Sequence, residues 1–267
     1  MLEYHLDRHK TPFIRSVSDM PIYRDPEFLI EKISAWVFQK IKESGRAGGI
    51  VGLSGGIDSA VVAALLSRVC GKKMAVVLMP CHSNDIDESD AMLVVEKFDL
   101  PWIRVDLSAT YDALLRAMPA ETSSVNGVHL SNIKPRLRMT TLYCLGQQKK
   151  LLVCGTGNRA EIHTGYFTKH GDSGVDILPL GDLLKGEVIG MARKLGVPAT
   201  VIGKPPSAGL WAGQTDEDEL GMTYQQIDRY LATKESDDAT AKKIDDAFRR
   251  SSHKREIPPI CLIDRQI

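Results

Sequence analysis

Nothing in the 267-residue sequence is present in excess, and each shortage removes a class of protein. Aromatic residues make up 6%, too few for a stripe of rings on which single-stranded nucleic acid could stack. Neither charge sign predominates: 34 Lys and Arg balance 34 Asp and Glu. That balance suits neither duplex nucleic acid nor an anionic membrane as main partner, though a small phosphorylated ligand needs only a local basic cluster. Long apolar runs are missing. Stretches such as Ala60–Leu66 are far too short to span a bilayer, and Met1–Lys10 has no signal-peptide core. The five cysteines, Cys70, Cys81, Cys144, Cys154 and Cys261, are odd in number and contain no CxxC pair. This argues against a disulfide framework and against zinc-ligand spacing, and reduced thiols in a cytoplasmic protein are expected. Repeats and low-complexity tracts are also lacking. What is there is ordinary for a globular protein: 43% hydrophobic and 25% charged residues, in a chain long enough to bury a core unaided.

The chain opens with an irregular arm over residues 1–25, followed by one domain over 26–267. Asp25-Pro26 reads as a helix N-cap and first helical residue. Phe28, Leu29, Ile33, Trp36, Val37 and Ile41 then recur at helical spacing, until Gly45 and Gly48-Gly49 end the helix. A βα rhythm follows. Strands are expected at 50–53, 74–79, 103–107 and 151–154, and helices at 59–70, 87–98, 108–118 and 135–146. Such alternation predicts an α/β fold, a doubly wound parallel sheet with helices on both faces. The last third shows no clear strand. Helices near 186–195, 224–232 and 239–251 predict a helical and loop cap. The long polar segments 119–131 and 204–217 have the length of binding loops.

Ligands of such a sheet sit beyond the carboxyl ends of its strands, which places Ser54–Ser59 and Gly155–Glu161 at one mouth. Ser54-Gly55-Gly56-Ile57-Asp58-Ser59 joins a strand to a helix. Its glycines let backbone N–H groups approach an anion, the helix N-terminus adds partial positive charge, and Ser54 and Ser59 add hydroxyls. It is neither a Walker A loop nor GxGxxG. Asp58 is out of place beside phosphate unless a divalent cation bridges the two. An Asp there also caps helices. With both glycines and both serines around it, the metal role is preferred.

The Ser-Gly-Gly-x-Asp-Ser loop resembles that of the ATP pyrophosphatases of the adenine-nucleotide α-hydrolase-like fold. The later motifs resemble those of the NAD synthetase family. These are Asn132-Ile-Lys-Pro-Arg136-Leu-Arg138-Met139, Gly155-Thr-Gly-Asn-Arg-Ala-Glu161, Gly165 through Asp176, Leu178 through Lys185, Lys204-Pro-Pro-Ser207, Gln214-Thr-Asp-Glu217 and His253-Lys254-Arg255. The resemblance runs from about Pro26 to near the end. Met79-Pro-Cys-His-Ser-Asn-Asp85 departs from the Pro-Tyr-Gly-Val-Gln loop of some members, so their adenosine contacts do not carry over. Ile57 stands where many relatives have Gln or Val.

The resemblance implies ATP-dependent amidation of deamido-NAD (nicotinate adenine dinucleotide) to NAD by ammonia, through an acyl-adenylate. It implies ATP contacts from Ser54, Gly55, Gly56, Ile57, Asp58, Ser59, Thr156, Lys185 and Ser207. Mg²⁺ is expected on Asp58 and Glu161. Deamido-NAD is expected on Asn132, Arg136, Lys169, Asp176, His253 and Lys254. Asp58, Lys185 and, less directly, Asp172 would serve catalysis. His163 and His170 read as structural or surface residues. The resemblance also implies a homodimer, with the Trp36-bearing helix and the 135–146 helix as candidate interface elements.

Glutamine-dependent relatives carry a glutaminase domain, for which about 45 residues before the core leave no room. Free ammonia, or ammonia from a separate glutaminase, is therefore the expected donor. Two other readings compete: a tRNA-modifying ATP pyrophosphatase, against which the neutral charge and missing CxxC weigh, and a non-catalytic nucleotide-binding module, which would not need Asp58 and Glu161 at one metal. Neither nucleic acid nor membrane is expected as a partner.

Overall fold

A computed structural model describes residues 22–119, 127–207 and 215–263. The elements follow in the order α1 (Pro26–Glu43), β1 (Gly48–Gly52), α2 (Ile57–Cys70), β2 (Met74–Leu78), α3 (Asp85–Phe98), β3 (Trp102–Arg104) and α4 (Ser108–Ala117). Then come α5 (Val128–Ser131), α6 (Ile133–Lys149), β4 (Leu151–Val153), α7 (Arg159–Thr164), α8 (Lys185–Leu195), α9 (Ala199–Ile202), α10 (Asp216–Leu220), α11 (Tyr224–Thr233) and α12 (Asp238–Arg250). The first 21 residues of the expected arm lie outside the described residues. Arg24, at its end, is tied down by ion pairs with Asp182 and Glu187.

The four strands form a parallel sheet in the order β3-β2-β1-β4, with Ile50 paired to Ala75 on one side and Val153 on the other. Period-2 alternation splits the strands between two cores. Val51, Leu53, Val76, Leu78 and Leu152 pack on one face with α1, α2, α3 and α8. Ile50, Ala75, Val77 and Val153 pack on the other with Tyr111 of α4 and Leu137, Leu142 and Leu145 of α6. Both faces are covered, as a parallel sheet requires. A third cluster, including Ala160, Leu184, Met222, Tyr224, Ile227 and Ile244, joins α7, α11 and α12 into the expected cap.

Asp25 caps α1, its Oδ1 accepting from Phe28 N at 2.8 Å, with Pro26 at the first turn. Two expectations need correction. Gly48-Gly49 lies inside β1 rather than in the turn ending α1. A Cβ on Gly48 would fall 1.5 Å from the Lys73 carbonyl oxygen, so this glycine serves close strand packing. β3 is shorter than residues 103–107, because beyond Arg104 the chain turns toward the Ser108 helix, with Leu107 N bonding Pro80 O. Beyond β4 the described residues hold no strand, as expected, only an isolated parallel bridge from Cys154 to Ile177.

The strand order reverses between β1 and β4. The loops after these strands, 53–56 and 154–158, therefore diverge and leave the crevice in which such sheets bind ligands. Among the described residues no helix is long and apolar enough to cross a membrane.

Candidate active site

The loop after β1 is built around glycine. Gly55 has φ +79°, and a Cβ there would lie 2.2 Å from the Asp87 carbonyl oxygen. A side chain would be strained and would push the loop off α3. Ser59 Oγ donates to Gly56 O at 2.9 Å, while Ser54 N and Gly56 N point to the hydroxyls of Ser59 and Ser54. Ile57 is buried and anchors the first turn of α2 in the core.

Gly56 occupies the N-cap of α2, and no side chain caps that helix. The capping alternative for Asp58 therefore fails. Its carboxylate points across the crevice instead. Oδ2 meets Lys185 Nζ at 2.5 Å, and Oδ1 accepts from Asn158 Nδ2 at 3.2 Å. Asn158 Nδ2 also donates to Glu161 Oε1 at 2.8 Å, so one amide holds both expected metal-binding carboxylates. Asn158 is fully buried and begins α7 in a reciprocal capping box with Glu161. The loops on the two sides of the sheet reversal thus converge on one Asp58–Asn158–Glu161 constellation.

Burial, then the neighbouring charge of Asp58, raises the Glu161 pKa well above the usual carboxylate range, with Lys185 pulling the other way. Burial works to lower the Lys185 pKa, but the charges of Asp58 and Glu161 outweigh it and the net direction is upward. Lys185 thus stays an ammonium although its side chain is only 3% exposed. It lies over the Tyr224 ring at 4.9 Å, and Tyr224 donates to Asp216 Oδ2 at 2.8 Å.

Lys185 is aimed by its helix. The first residues of α8 are clamped by two carboxylates: Asp228 accepts from Lys185 N and Gly186 N at 3.0 and 2.9 Å, and Glu187 accepts from Leu184 N. Tyr23 donates to the same Asp228, and Arg24 to the same Glu187. Burial pushes the Asp228 carboxyl up to about 6, while its hydrogen bonds restrain the rise. A raised carboxyl pKa means the folded state binds that proton more tightly, so the contribution is full below pH 4 and is lost as pH rises through 6. Replacing Asp228 with Asn removes this titration. The urea stability of wild type relative to Asp228→Asn should then fall by about 2–3 kcal/mol between pH 4 and 7, at 1.36 kcal/mol per pKa unit.

A cavity of about 320 Å³ opens beside Glu161. Its walls include Gly157, Phe167, Lys169, Asp172 and Lys254. Lys254 Nζ donates to the Gly165 and Phe167 carbonyls at 2.8 Å each, and Asp172 Oδ1 accepts from Thr168 N at 2.8 Å. Arg136 donates to Lys169 O, and Lys169 Nζ to His253 O, linking three residues expected to bind the second substrate. Asn132, Arg136, Asp176 and His253 are not among the residues lining that cavity. Asn132 accepts from the Thr168 hydroxyl, and Asp176 accepts from Val153 N and Tyr143 OH, so both brace the walls. Thr156 is half-buried in the β4 loop, and Ser207 is exposed at the edge of the described residues. His163 stacks on Phe248 at 4.5 Å, consistent with a structural role.

Asn158, Tyr224, Asp216 and Asp228 had no role assigned from the sequence. For Asn158 the Asn-x-x-Glu capping pattern was a usable signal. The other three meet the site only through tertiary packing.

Two carboxylates sharing one buried amide beside a phosphate-type loop suit a hard cation that takes further ligands from substrate phosphates. Among the described residues no group of three or more His, Cys, Asp or Glu is placed to hold a metal unaided. The fold and site define an α/β protein whose glycine-loop crevice, with Asp58 and Glu161 held on one amide, opens beside Glu161 into a second cavity walled in part by Lys169 and Lys254. The NAD synthase family model matches residues 29–258, and the chain belongs to that family. It is 47% identical to the NH(3)-dependent NAD(+) synthetase of Carboxydothermus hydrogenoformans, over 87% of this chain and 96% of that protein. Among solved structures it resembles the NMN synthetase of Francisella tularensis, with a TM-score of 0.84 and 37% identity over 90% of this chain and all of that one. The NH3-dependent NAD synthetase of Campylobacter jejuni matches with a TM-score of 0.74 and 28% identity, again over 90% of this chain and all of that one.

Proposed function

We propose that this protein makes NAD from deamido-NAD, ATP and ammonia. The observation that carries the reading is the junction of two sites: Glu161 belongs both to the constellation with Asp58 and to the wall of the cavity bearing Lys169, Asp172 and Lys254. ATP on the Ser54–Ser59 loop would present its α-phosphorus where a carboxylate from that cavity can reach it.

A nicotinate carboxylate oxygen attacks the α-phosphorus, the bond to the β-phosphate oxygen breaks, and pyrophosphate leaves. Ammonia then attacks the acyl carbon. The acyl carbon–oxygen bond breaks, AMP departs with that oxygen, and the surplus ammonia proton passes to solvent or to a nearby carboxylate. Asp172, at the cavity wall, would take the last task. Asp58 and Glu161 would hold Mg²⁺, which when bound offsets charge on the triphosphate and the leaving pyrophosphate. Lys185 supplies a point charge for the same oxygens, and Thr156 and Ser207 add hydroxyls. Lys169 and Lys254 face the pyrophosphate of the dinucleotide, with Arg136, Asn132, Asp176 and His253 holding that wall in place. The rate gain comes from positioning and fixed charge.

The likeness to an NMN synthetase favours a second reading, in which the acid amidated is the mononucleotide. Both acids present the same nicotinate carboxylate. Competition between deamido-NAD and nicotinate mononucleotide at equal concentration separates them: the first reading expects at least tenfold higher kcat/KM for the dinucleotide, and the reverse ratio overturns it.

Ammonia is the nitrogen donor in this reading, as the relatives' names state of those proteins. Purified protein should turn over with ammonium chloride and run below about 1% of that rate with glutamine alone. Equal rates would place a glutaminase activity on this chain. In a cell, a separate glutaminase would serve as well as free ammonia. The homodimer extends the reading: Phe28, Trp36 and Phe38 of α1 are 58%, 40% and 59% exposed, an apolar set that a second copy would cover. The reactants are small soluble metabolites, in keeping with a cytoplasmic enzyme.

A further inference from the structure

Asp216 is a buried carboxylate that the reaction above does not use and that, unlike Asp228 and Glu187, holds no helix N-terminus. It is 4% exposed, and its Oδ1 has no hydrogen-bond partner among the described residues. A buried carboxylate oxygen left unpaired is costly, and such groups call for an explanation. Its other oxygen accepts from Tyr224 OH at 2.8 Å, and its backbone N–H donates to Pro206 O. The ring of that same phenol carries the Lys185 ammonium, 4.9 Å from its centre. Burial raises the Asp216 pKa, and the hydrogen bond from Tyr224, the charge of Lys185 and the Tyr166 hydroxyl work against the rise. Asp216 and Lys185 therefore sense one another across a single ring.

Lys185 faces a conflict. Its ammonium sits on Asp58 Oδ2, the group expected to bind the metal. Once Asp58 is engaged by a cation, Lys185 loses that partner and is repelled, yet it is needed at the phosphates. The Tyr224 ring holds a cation without competing for a metal. Asp216 supplies the formal charge behind it.

We propose that Asp216, acting with Tyr224, is a positioning residue for Lys185: it is the counter-charge that keeps the ammonium on the phosphate side once Asp58 has passed to a metal ion. This rests on the metal and ATP reading given above, and the test separates the two.

The test is equilibrium binding of ATP to the full chain, with excess Mg²⁺ and with EDTA, for wild type, Asp216→Asn, Tyr224→Phe and Tyr224→Leu. With EDTA, Asp216→Asn should bind within threefold of wild type, because Lys185 still rests on Asp58. With Mg²⁺ it should bind at least tenfold more weakly. Tyr224→Phe keeps the ring and should lose less than Tyr224→Leu, and this pair carries the test should Asp216→Asn fail to fold. In turnover, Asp216→Asn should raise KM for ATP more than it lowers kcat. Equal losses with and without Mg²⁺, or no loss in either, would overturn the assignment while wild type still shows tighter binding with Mg²⁺. Wild type that binds ATP equally in both conditions would overturn the metal reading and this proposal together.

Discussion

Asp58→Asn should leave a folded protein with turnover reduced at least a thousandfold. The side chain is nearly isosteric, so the loop and α2 keep their packing. The substitution removes the one carboxylate that contacts both Lys185 and Asn158, so it takes the charge from the centre of the constellation. Removing one partner of a buried ion pair costs about 3–5 kcal/mol when nothing compensates. Here Glu161 and Asp216 still face the lysine, and the Tyr224 ring still lies beneath it. The stability loss should therefore be smaller, about 1–3 kcal/mol in urea unfolding. Rates within tenfold of wild type, with stability intact, would remove the metal assignment. The opposite failure, a protein that does not fold, would mean that the Asp58–Lys185 pair is chiefly architectural.

Lys185→Met should separate charge from packing. Methionine fills most of the lysine stem, and the helix clamp made by Asp228 and Glu187 uses backbone donors that remain. Without the ammonium, Asp58, Glu161 and Asp216 share a buried space with no positive side chain between them. Loss of a preorganised charge at a developing anion typically costs 10²–10³ in kcat, and that fall is expected here. Glu161, already raised by burial and by Asp58, loses the charge that was lowering it. The variant should therefore be more stable in mild acid than at neutral pH, the protonated carboxyl being the form this space accepts. Stability that rises steadily from pH 5 to pH 8, measured against wild type, would contradict that electrostatic picture.

The sequence showed the scaffold and one half of the site plainly. The β1 loop was legible because Ser-Gly-Gly-x-Asp-Ser joins a strand to a helix in a contiguous stretch, and Gly55 does have the positive φ such a loop needs. Asp58 and Glu161 lie 103 positions apart, yet each stands in a motif of its own, and the structure brings both onto the Asn158 amide. Gly48-Gly49 was misread since a glycine pair after a helix usually marks a turn. The close approach of Lys73 that makes Gly48 necessary is tertiary. Asp216, Tyr224 and Asp228 escaped for the same reason. Each is an ordinary helix residue in its own segment. Their importance comes from α10 and α11 folding back against the first turn of α8, which no local pattern announces. Asn132 and Asp176 also bond Thr168 and Val153, contacts between distant segments that no local pattern announces.

The most direct measurement follows oxygen. Deamido-NAD labelled with ¹⁸O in its nicotinate carboxylate is turned over with ATP, Mg²⁺ and ammonium, and the products are weighed by mass spectrometry. Attack of that carboxylate on the α-phosphorus predicts NAD, AMP and pyrophosphate in equal amounts, with one labelled oxygen carried into the phosphate of AMP. Label appearing in inorganic phosphate with ADP as co-product, or AMP free of label, would contradict the account.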